Sequence, residues 1–361
     1  MMKKIGLEEC FMCQINGYIG PHRAAPILLE MAKRQSGFFG GYYTGIATIC
    51  DGKLYMAKVM GDVDRLEAVT EAAGLPGNIG FLHCRSNDGG DDHWAQPFVT
   101  NDGQFAYMAN GSGDLYKGRS YFREDMEKME ALGVKFDSMR NAAVGKYAAQ
   151  GSGKCCHSSE TKAHLIRWLM KEKHISAAEA MKEAYLASPS GIVGLSICTE
   201  EPDRLSYARF NHPLTVARTE DEVFLATCAI AFPEDRDYLS MTPLPEASYG
   251  SVSLKETVIG RFRPEFPIDR ITPKRYHDGR ELIEAKLRSD EAPCKVGKLF
   301  SASKPVWTEG HMAQRAPLAY EVLYDLWCEG RLNIEKRVEP GAAEGIPLGI
   351  TTTQFYLSLK D

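Results

Sequence analysis

The chain has 361 residues, 44% hydrophobic and 25% charged, a composition ordinary for a globular protein and long enough for about two domains. A formal net charge of −5 offers no basic face for nucleic acid, and no apolar run reaches the ~18–20 residues that a membrane helix needs. The start, MMKKIGLEEC, has two lysines but no apolar stretch behind them, so it does not read as a secretory signal, and the ten cysteines read as reduced thiols of a cytoplasmic protein.

In chain order, CQINGYIG reads as a short strand running into a loop. RAAPILLEMAKRQ carries apolar residues at helical spacing. TGIATIC and KLYMAKV read as two strands joined by Asp51-Gly52, a hairpin signal. DRLEAVTEAAGL predicts a short helix, NIGFLHCRS a buried strand, and GQFAYMANGSGDLY a strand broken at Asn110-Gly111. REDMEKMEALGV, ETKAHLIRWLMKE and SAAEAMKEAYLAS predict three helices. Strand-like runs follow: GIVGLSICT, RLSYARF, PLTVAR, EVFLATCAI and GSVSLKETVIG. Strands at both ends with helices between them suit sheets covered by helices, an α+β layered domain. Pro and Arg gather near Pro264–Pro273 and mark a linker. The last ~95 residues read as a small α+β appendage, with YHDGRELIEAKLRSDEA and APLAYEVLYDLWCEG helical and RLNIEKRVE and GITTTQFYLSLK extended.

Two motifs mislead. AAQGSGKCC lacks a phosphate loop's first Gly, at Ala148, and its hydroxyl after Lys154, where Cys155 stands. Cys155, Cys156 and His157 are adjacent, so their side chains cannot converge as spaced zinc ligands do; no metal site is expected. A third constellation spans separated segments. Cys13 supplies a thiol that can attack a carbonyl carbon. Asn110 and the Gly111 N–H can hold the oxyanion that forms, each such donor being worth ~3 kcal/mol of barrier. Arg85 can grip a carboxylate with two parallel hydrogen bonds. Singly, each has a plain reading: a buried small hydrophobe, a turn, an ion pair.

The order of these pieces resembles the class II glutamine amidotransferases, and most of all the glutaminase half of glucosamine-fructose-6-phosphate aminotransferase. CQINGYIG resembles the family's CGIVGYIG, and FFGGYYTGIA sits where the family has YRGYDSAGIA. LHCRSNDGG is similar to GHTRWATHG, MANGS to VHNGI, ETKAHLIRWLM to TEVIAHLI, and YARFNHPLTVA to ARSGSPLVIG. The resemblance runs from Cys13 to about Gly260 and implies an α+β fold: a four-layer αββα N-terminal-nucleophile hydrolase sandwich over residues 13–262, with a small C-terminal α+β domain over 263–361. It implies Cys13 as nucleophile, Asn110 and Gly111 as oxyanion pair, and Arg85 as the group binding the glutamine carboxylate. The implied partners are L-glutamine and an ammonia-accepting synthase, with no cofactor; a homo-oligomer stays open.

The departures matter equally. The family uses the cysteine's own α-amine as base, which at pKa ~7.7–8.0 can take the thiol proton near neutrality. Here the Cys13 nitrogen is a peptide amide, so activity requires loss of residues 1–12, by initiation at Met12, by a self-cleaved propeptide, or not at all. The aspartate that holds the glutamine amino group falls at Ser158, with Asp88 or Asp137 as replacements. An extra stretch from Met139 to His157 enters at that pocket, and its Gly- and Ser-rich composition predicts a mobile loop. The alternative to a glutaminase is a catalytically silent module that binds an amino acid or a partner protein.

Overall fold

The computed structural model describes residues 12–111, 121–149, 152–187, 192–263, 267–343 and 346–360. Residues 1–11 with Cys10, residues 112–120 beyond Gly111, 150–151 of the extra stretch and 264–266 of the expected linker lie outside the described residues.

The wholly buried run QINGYI forms β1 (Gln14–Ile19). Ala24, Ile27, Leu28, Met31 and Ala32 bury one face of α1 (Ala24–Phe39). Asp51 and Gly52, both at positive φ, close the hairpin between β2 (Tyr43–Cys50) and β3 (Lys53–Met60). Asp62 caps α2 (Val63–Val69) by accepting from the Arg65 N–H. Next come β4 (Ile79–Arg85), the two-residue β5 (Phe98–Val99) and β6 (Phe105–Gly111). Helices α3 (Tyr121–Ala131), α4 (Ser158–Lys173) and α5 (Ala177–Ala187) follow. The strands β7 (Ile192–Cys198), β8 (Glu201–Arg209), β9 (Thr215–Arg218), β10 (Val223–Ala226), β11 (Ser240–Pro243), β12 (Ser248–Ser253) and β13 (Thr257–Arg261) come after them. The remainder is α6 (Pro273–Leu287), α7 (Val296–Ala302), α8 (Arg315–Cys328), β14 (Leu332–Ala343) and β15 (Ile346–Leu359).

One sheet runs β11-β9-β10-β1-β4-β2-β3 and the other β13-β12-β8-β7-β6-β5, and every pairing in them is antiparallel. Ile15, Phe81, Met108, Leu195, Tyr207 and Leu225 fill the space between the sheets. Helix α1 covers the first sheet through Leu28, Met31 and Ala32 against Leu82 and Phe224. Helices α4 and α5 cover the second through Ile166, Met181 and Tyr185 against Tyr107 and Phe210. These are the four αββα layers of the N-terminal-nucleophile hydrolase sandwich.

The C-terminal residues pack on the far side of α1. The ring of Phe355 in β15 lies where a side chain at Gly37 would be, 2.2 Å from an added Cβ. A glycine inside a helix costs ~0.5–1 kcal/mol relative to Ala, and here it admits a buried aromatic ring. Residues 267–272 are not a free linker: the Met312 N–H donates to Pro267 O, the Asp269 N–H to Met312 O, and Gln314 Nε2 to Asp269 O. Gln314 also accepts from Arg209 at the end of β8. Among the described residues no helix is long and apolar enough to cross a membrane.

Candidate active site

Strand β1 holds the centre of the first sheet, with Gln14 opposite Cys84 of β4, so Cys13 lies at the level where β4 ends in Arg85. Gln14, on the opposite face of β1, donates to the Tyr320 hydroxyl of α8. Gln35 of α1 donates to Ile15 O and Asn16 Oδ1. Residues on three sides therefore fix the strand that carries the thiol.

The Cys13 N–H donates to Asn110 Oδ1 at 2.8 Å, across the gap between β1 of one sheet and β6 of the other. The amide Nδ2 of Asn110 points to Met12 Sδ at 3.9 Å. Gly111 ends β6 at φ +120°, a backbone conformation that L side chains rarely adopt. Cys13 Sγ lies 3.8 Å from Ser86 Oγ, and Ser86 donates to Asp88 Oδ2 at 2.6 Å. Burial first, then the Asp88 charge, pushes the thiol up to about 11, against opposing effects of Ser86 and Arg85. Met12 is fully buried among Phe38, Cys228, Tyr320, Phe355 and Leu357, a core that α1 shares with the C-terminal residues.

Arg85 is 1% exposed. Its guanidinium donates to Gly89 O at 2.9 Å and Trp94 O at 3.3 Å. It sits 4.4 Å from the Tyr43 ring centroid and 5.6 Å from that of Tyr147. Its Nε has no hydrogen-bond partner in the described structure. Arg85 is thus a buried group, not a surface ion pair.

The extra stretch is built over this end of the sandwich. Arg140 and Cys155 exchange both backbone hydrogen bonds, as do Val144 and Tyr147. The Lys146 N–H donates to Asp88 O at 3.0 Å, and its ammonium is 3.7 Å from Asp88 Oδ1. The backbone at Gly145 crosses so close to Gly89 that a Cβ on Gly145 would lie 2.0 Å from Asp88 O. Tyr147 packs on Trp94 and His157 with ring centroids at 5.0 and 5.2 Å. The expectation of a mobile loop needs correction: aromatic side chains and paired backbone, invisible in the Gly and Ser content, pin the described residues.

Cys155, Cys156 and His157 do diverge. Cys156 Sγ meets Thr161 Oγ1, while His157 Nδ1 accepts from the Ser159 N–H and caps α4. Burial holds the His157 imidazole neutral. Ser158 opens α4 partly exposed, and among the described residues no hydrogen bond joins it to Cys13, Arg85 or Asp88. Asp137 is half-exposed and bonded to Lys58 and His93. Of the proposed carboxylates only Asp88 stands beside the thiol. Sequence reasoning missed Ser86 and Tyr147, and for Met12 it missed the burial and the contact with Asn110; the signal for Ser86 was the departure RSNDGG itself.

No family model matches the chain. The chain is 27% identical over 253 residues to the glutamine–fructose-6-phosphate aminotransferase of Chlorobaculum tepidum, covering 68% of this chain and 37% of that protein. It is 31% identical over 233 residues to that of Brucella abortus, covering 63% and 34%. The chain thus spans about a third of the length of the curated relatives it matches. The glutamine PRPP amidotransferase of B. subtilis superposes with a TM-score of 0.56 at 16% identity, covering 83% of this chain and 65% of that one. A second structure, an allosteric regulatory enzyme of purine biosynthesis, gives 0.56 at 16% identity over 96% and 71%. At that identity the likeness is one of fold. The resemblance to class II glutamine amidotransferases read from the sequence holds.

Proposed function

We propose that this chain, similar in sequence to class II glutamine amidotransferases and an N-terminal-nucleophile hydrolase in fold, hydrolyses L-glutamine through a Cys13 thioester. The thiol adds to the amide carbon while the freed Cys13 α-amine takes its proton. Asn110 Nδ2 and the Gly111 N–H carry the charge on the oxygen. The C–N bond breaks, the amine returns the proton to the leaving nitrogen, and ammonia departs. Water then cleaves the thioester to glutamate and thiol. Arg85 receives the substrate carboxylate through its unpartnered Nε once Tyr147 moves aside. Residues 13–262 form the hydrolytic unit, and the ammonia passes to a separate acceptor enzyme.

The observation that carries this reading is the 2.8 Å hydrogen bond from the Cys13 nitrogen to Asn110. It brings the nitrogen that must act as base beside the side chain that must hold the oxyanion. Met12 keeps both from working, since it acylates that nitrogen and occupies the Asn110 donor.

A second reading is favoured by the committed guanidinium of Arg85 and the buried Met12: a silent module that keeps residues 1–12 and a filled pocket. Comparing the full chain with one beginning at Cys13 separates the two. A general base contributes typically 10²–10⁴-fold, so the shorter chain should release ammonia from glutamine at least ~100-fold faster. Ammonia from neither chain would leave the silent module standing.

A further inference from the structure

Ser86 stands at the Cys13 sulfur, and Asp88 stands behind it. The Ser86 hydroxyl hydrogen is spent on Asp88 Oδ2, at 2.6 Å. A hydroxyl with its hydrogen spent can only accept. The 3.8 Å contact between Ser86 Oγ and Cys13 Sγ is then an S–H donating to oxygen. A thiolate there would face an oxygen lone pair backed by a carboxylate, opposed by the Ser86 backbone N–H and the Arg85 charge, which favour the ionised sulfur.

We propose that Ser86 and Asp88 form a lock that keeps the Cys13 sulfur protonated and parked, and that the extra stretch, through Lys146, sets how firmly the lock holds. The inference rests on Cys13 being the nucleophile. Ser86 touches the reacting atom; Asp88 acts through it and is a positioning residue. The charged and titratable groups bearing on the sulfur are Arg85 and Cys84 of β4, Asp88, and Tyr147 of the extra stretch. Arg85 alone among them favours the thiolate, and its guanidinium is shared with two carbonyls and two tyrosine rings. Lys146 is tied to Asp88 twice, by its N–H on Asp88 O and by its ammonium at 3.7 Å. A shift of Lys146 therefore changes both the backbone hold on Asp88 and the charge beside its carboxylate. When Asp88 withdraws, the Ser86 hydrogen turns to the sulfur and the same hydroxyl becomes a donor that stabilises the thiolate.

The test is alkylation of Cys13 in the full chain by iodoacetamide between pH 7 and 10, read by mass spectrometry of its peptide. Asp88→Asn removes the charge, and its neutral amide oxygen holds the Ser86 hydrogen less firmly than the carboxylate does. The rate at pH 8 then rises ~tenfold for each unit by which the thiol pKa falls, and levels off inside the pH range. Asp88→Glu restores the slow wild-type profile that still climbs at pH 10. Lys146→Ala, at a partly exposed position, removes the ammonium that offsets Asp88 and slows alkylation at pH 8. An Asp88→Asn profile parallel to or below wild type, with no levelling, overturns the proposal, as does a Lys146→Ala profile shifted to lower pH. No glutamine enters this measurement. A thiol that shows the lock yet never reacts with a glutamine-like electrophile would end the hydrolase reading and leave the lock in place.

Discussion

Gly145→Ala should lift the extra stretch off the site without unfolding the sandwich. Gly145 has φ +52°, in the left-handed region that costs an L residue roughly 1–2 kcal/mol. The new Cβ would stand 2.0 Å from Asp88 O and 2.7 Å from Gly89 Cα, where ordinary contact begins near 3.4 Å. Both are backbone atoms, so no side chain can turn away, and the two segments must part by ~1.4 Å. A shift of that size takes the 3.0 Å Lys146–Asp88 backbone bond past hydrogen-bonding reach, a further ~0.5–1.5 kcal/mol. The sum, about 2–3 kcal/mol, falls on a surface hairpin and leaves both sheets and their shared core untouched. Hydrogen exchange should speed up at the amides of Lys146 and Tyr147 and stay slow in β1 and β6. If the hairpin is a lid, glutamine hydrolysis by the chain beginning at Cys13 falls while the far-ultraviolet spectrum is kept. If it is a plug, glutamine binding tightens with no gain in ammonia. Unchanged exchange at Lys146 would refute the reasoning, because the contact would not be close enough to matter.

Three further outcomes are expected. A glutamine-like electrophile should label Cys13, and Cys13→Ala should abolish the labelling; equal modification of Cys10 by peptide mapping would contradict the assignment. Arg85→Lys should weaken glutamine binding and cost about 2–3 kcal/mol in urea denaturation, since one ammonium cannot serve both Gly89 O and Trp94 O while stacked on Tyr43; an affinity and midpoint equal to wild type would count against both roles. Glu321 lines a cavity of about 60 Å³ with Thr215, Thr227 and Tyr320, and burial, then Asp325, raises its carboxyl to about 7 against the pull of Arg209. The folded chain then holds this proton longer than the unfolded one, so the contribution is full below pH ~4.5 and is lost as pH rises through about 7, on the order of 3 kcal/mol. Glu321→Gln should flatten that decline between pH 5 and pH 8; parallel curves for the two proteins would exclude it.

The sandwich was legible because its elements speak locally. Strand β1, the Asp51-Gly52 hairpin and the amphipathic face of α1 each carry their own period, and the quoted motifs keep their relatives' order. Strands β5 and β11, of two and four residues, are too short to alternate, and they form on the edges that β6 and β9 offer them. Helix α7 of seven residues is likewise a product of packing against α6 and α8. At the site, Cys13, Asn110 and Arg85 are visible as residue types that chemistry needs. Ser86 and Tyr147 are not, because a hydroxyl or a ring gains its role only from what it meets across 73 residues of chain or from a hairpin folded back on another loop. Met12 reads in the sequence as a candidate start residue, not as a buried one; its burial against Phe355 and Leu357 depends on residues more than three hundred positions away.

That burial has a bearing on timing. Asn16 pairs with Ala226, 210 residues later, and Met12 shares its core with side chains beyond residue 350. The cysteine leaves the ribosome long before Phe355 and Leu357 do, and such distant pairings form slowly. Throughout that interval the thiol and the peptide bond before it lie in water, within reach of aminopeptidases, oxidants and chaperones. Once the ribbon of β14 and β15 settles, the Met12–Cys13 bond is sealed behind a packed aromatic layer. An outside peptidase that frees the cysteine nitrogen must therefore work on the nascent chain, and a folded molecule that has escaped it can lose Met12 only by cleaving itself.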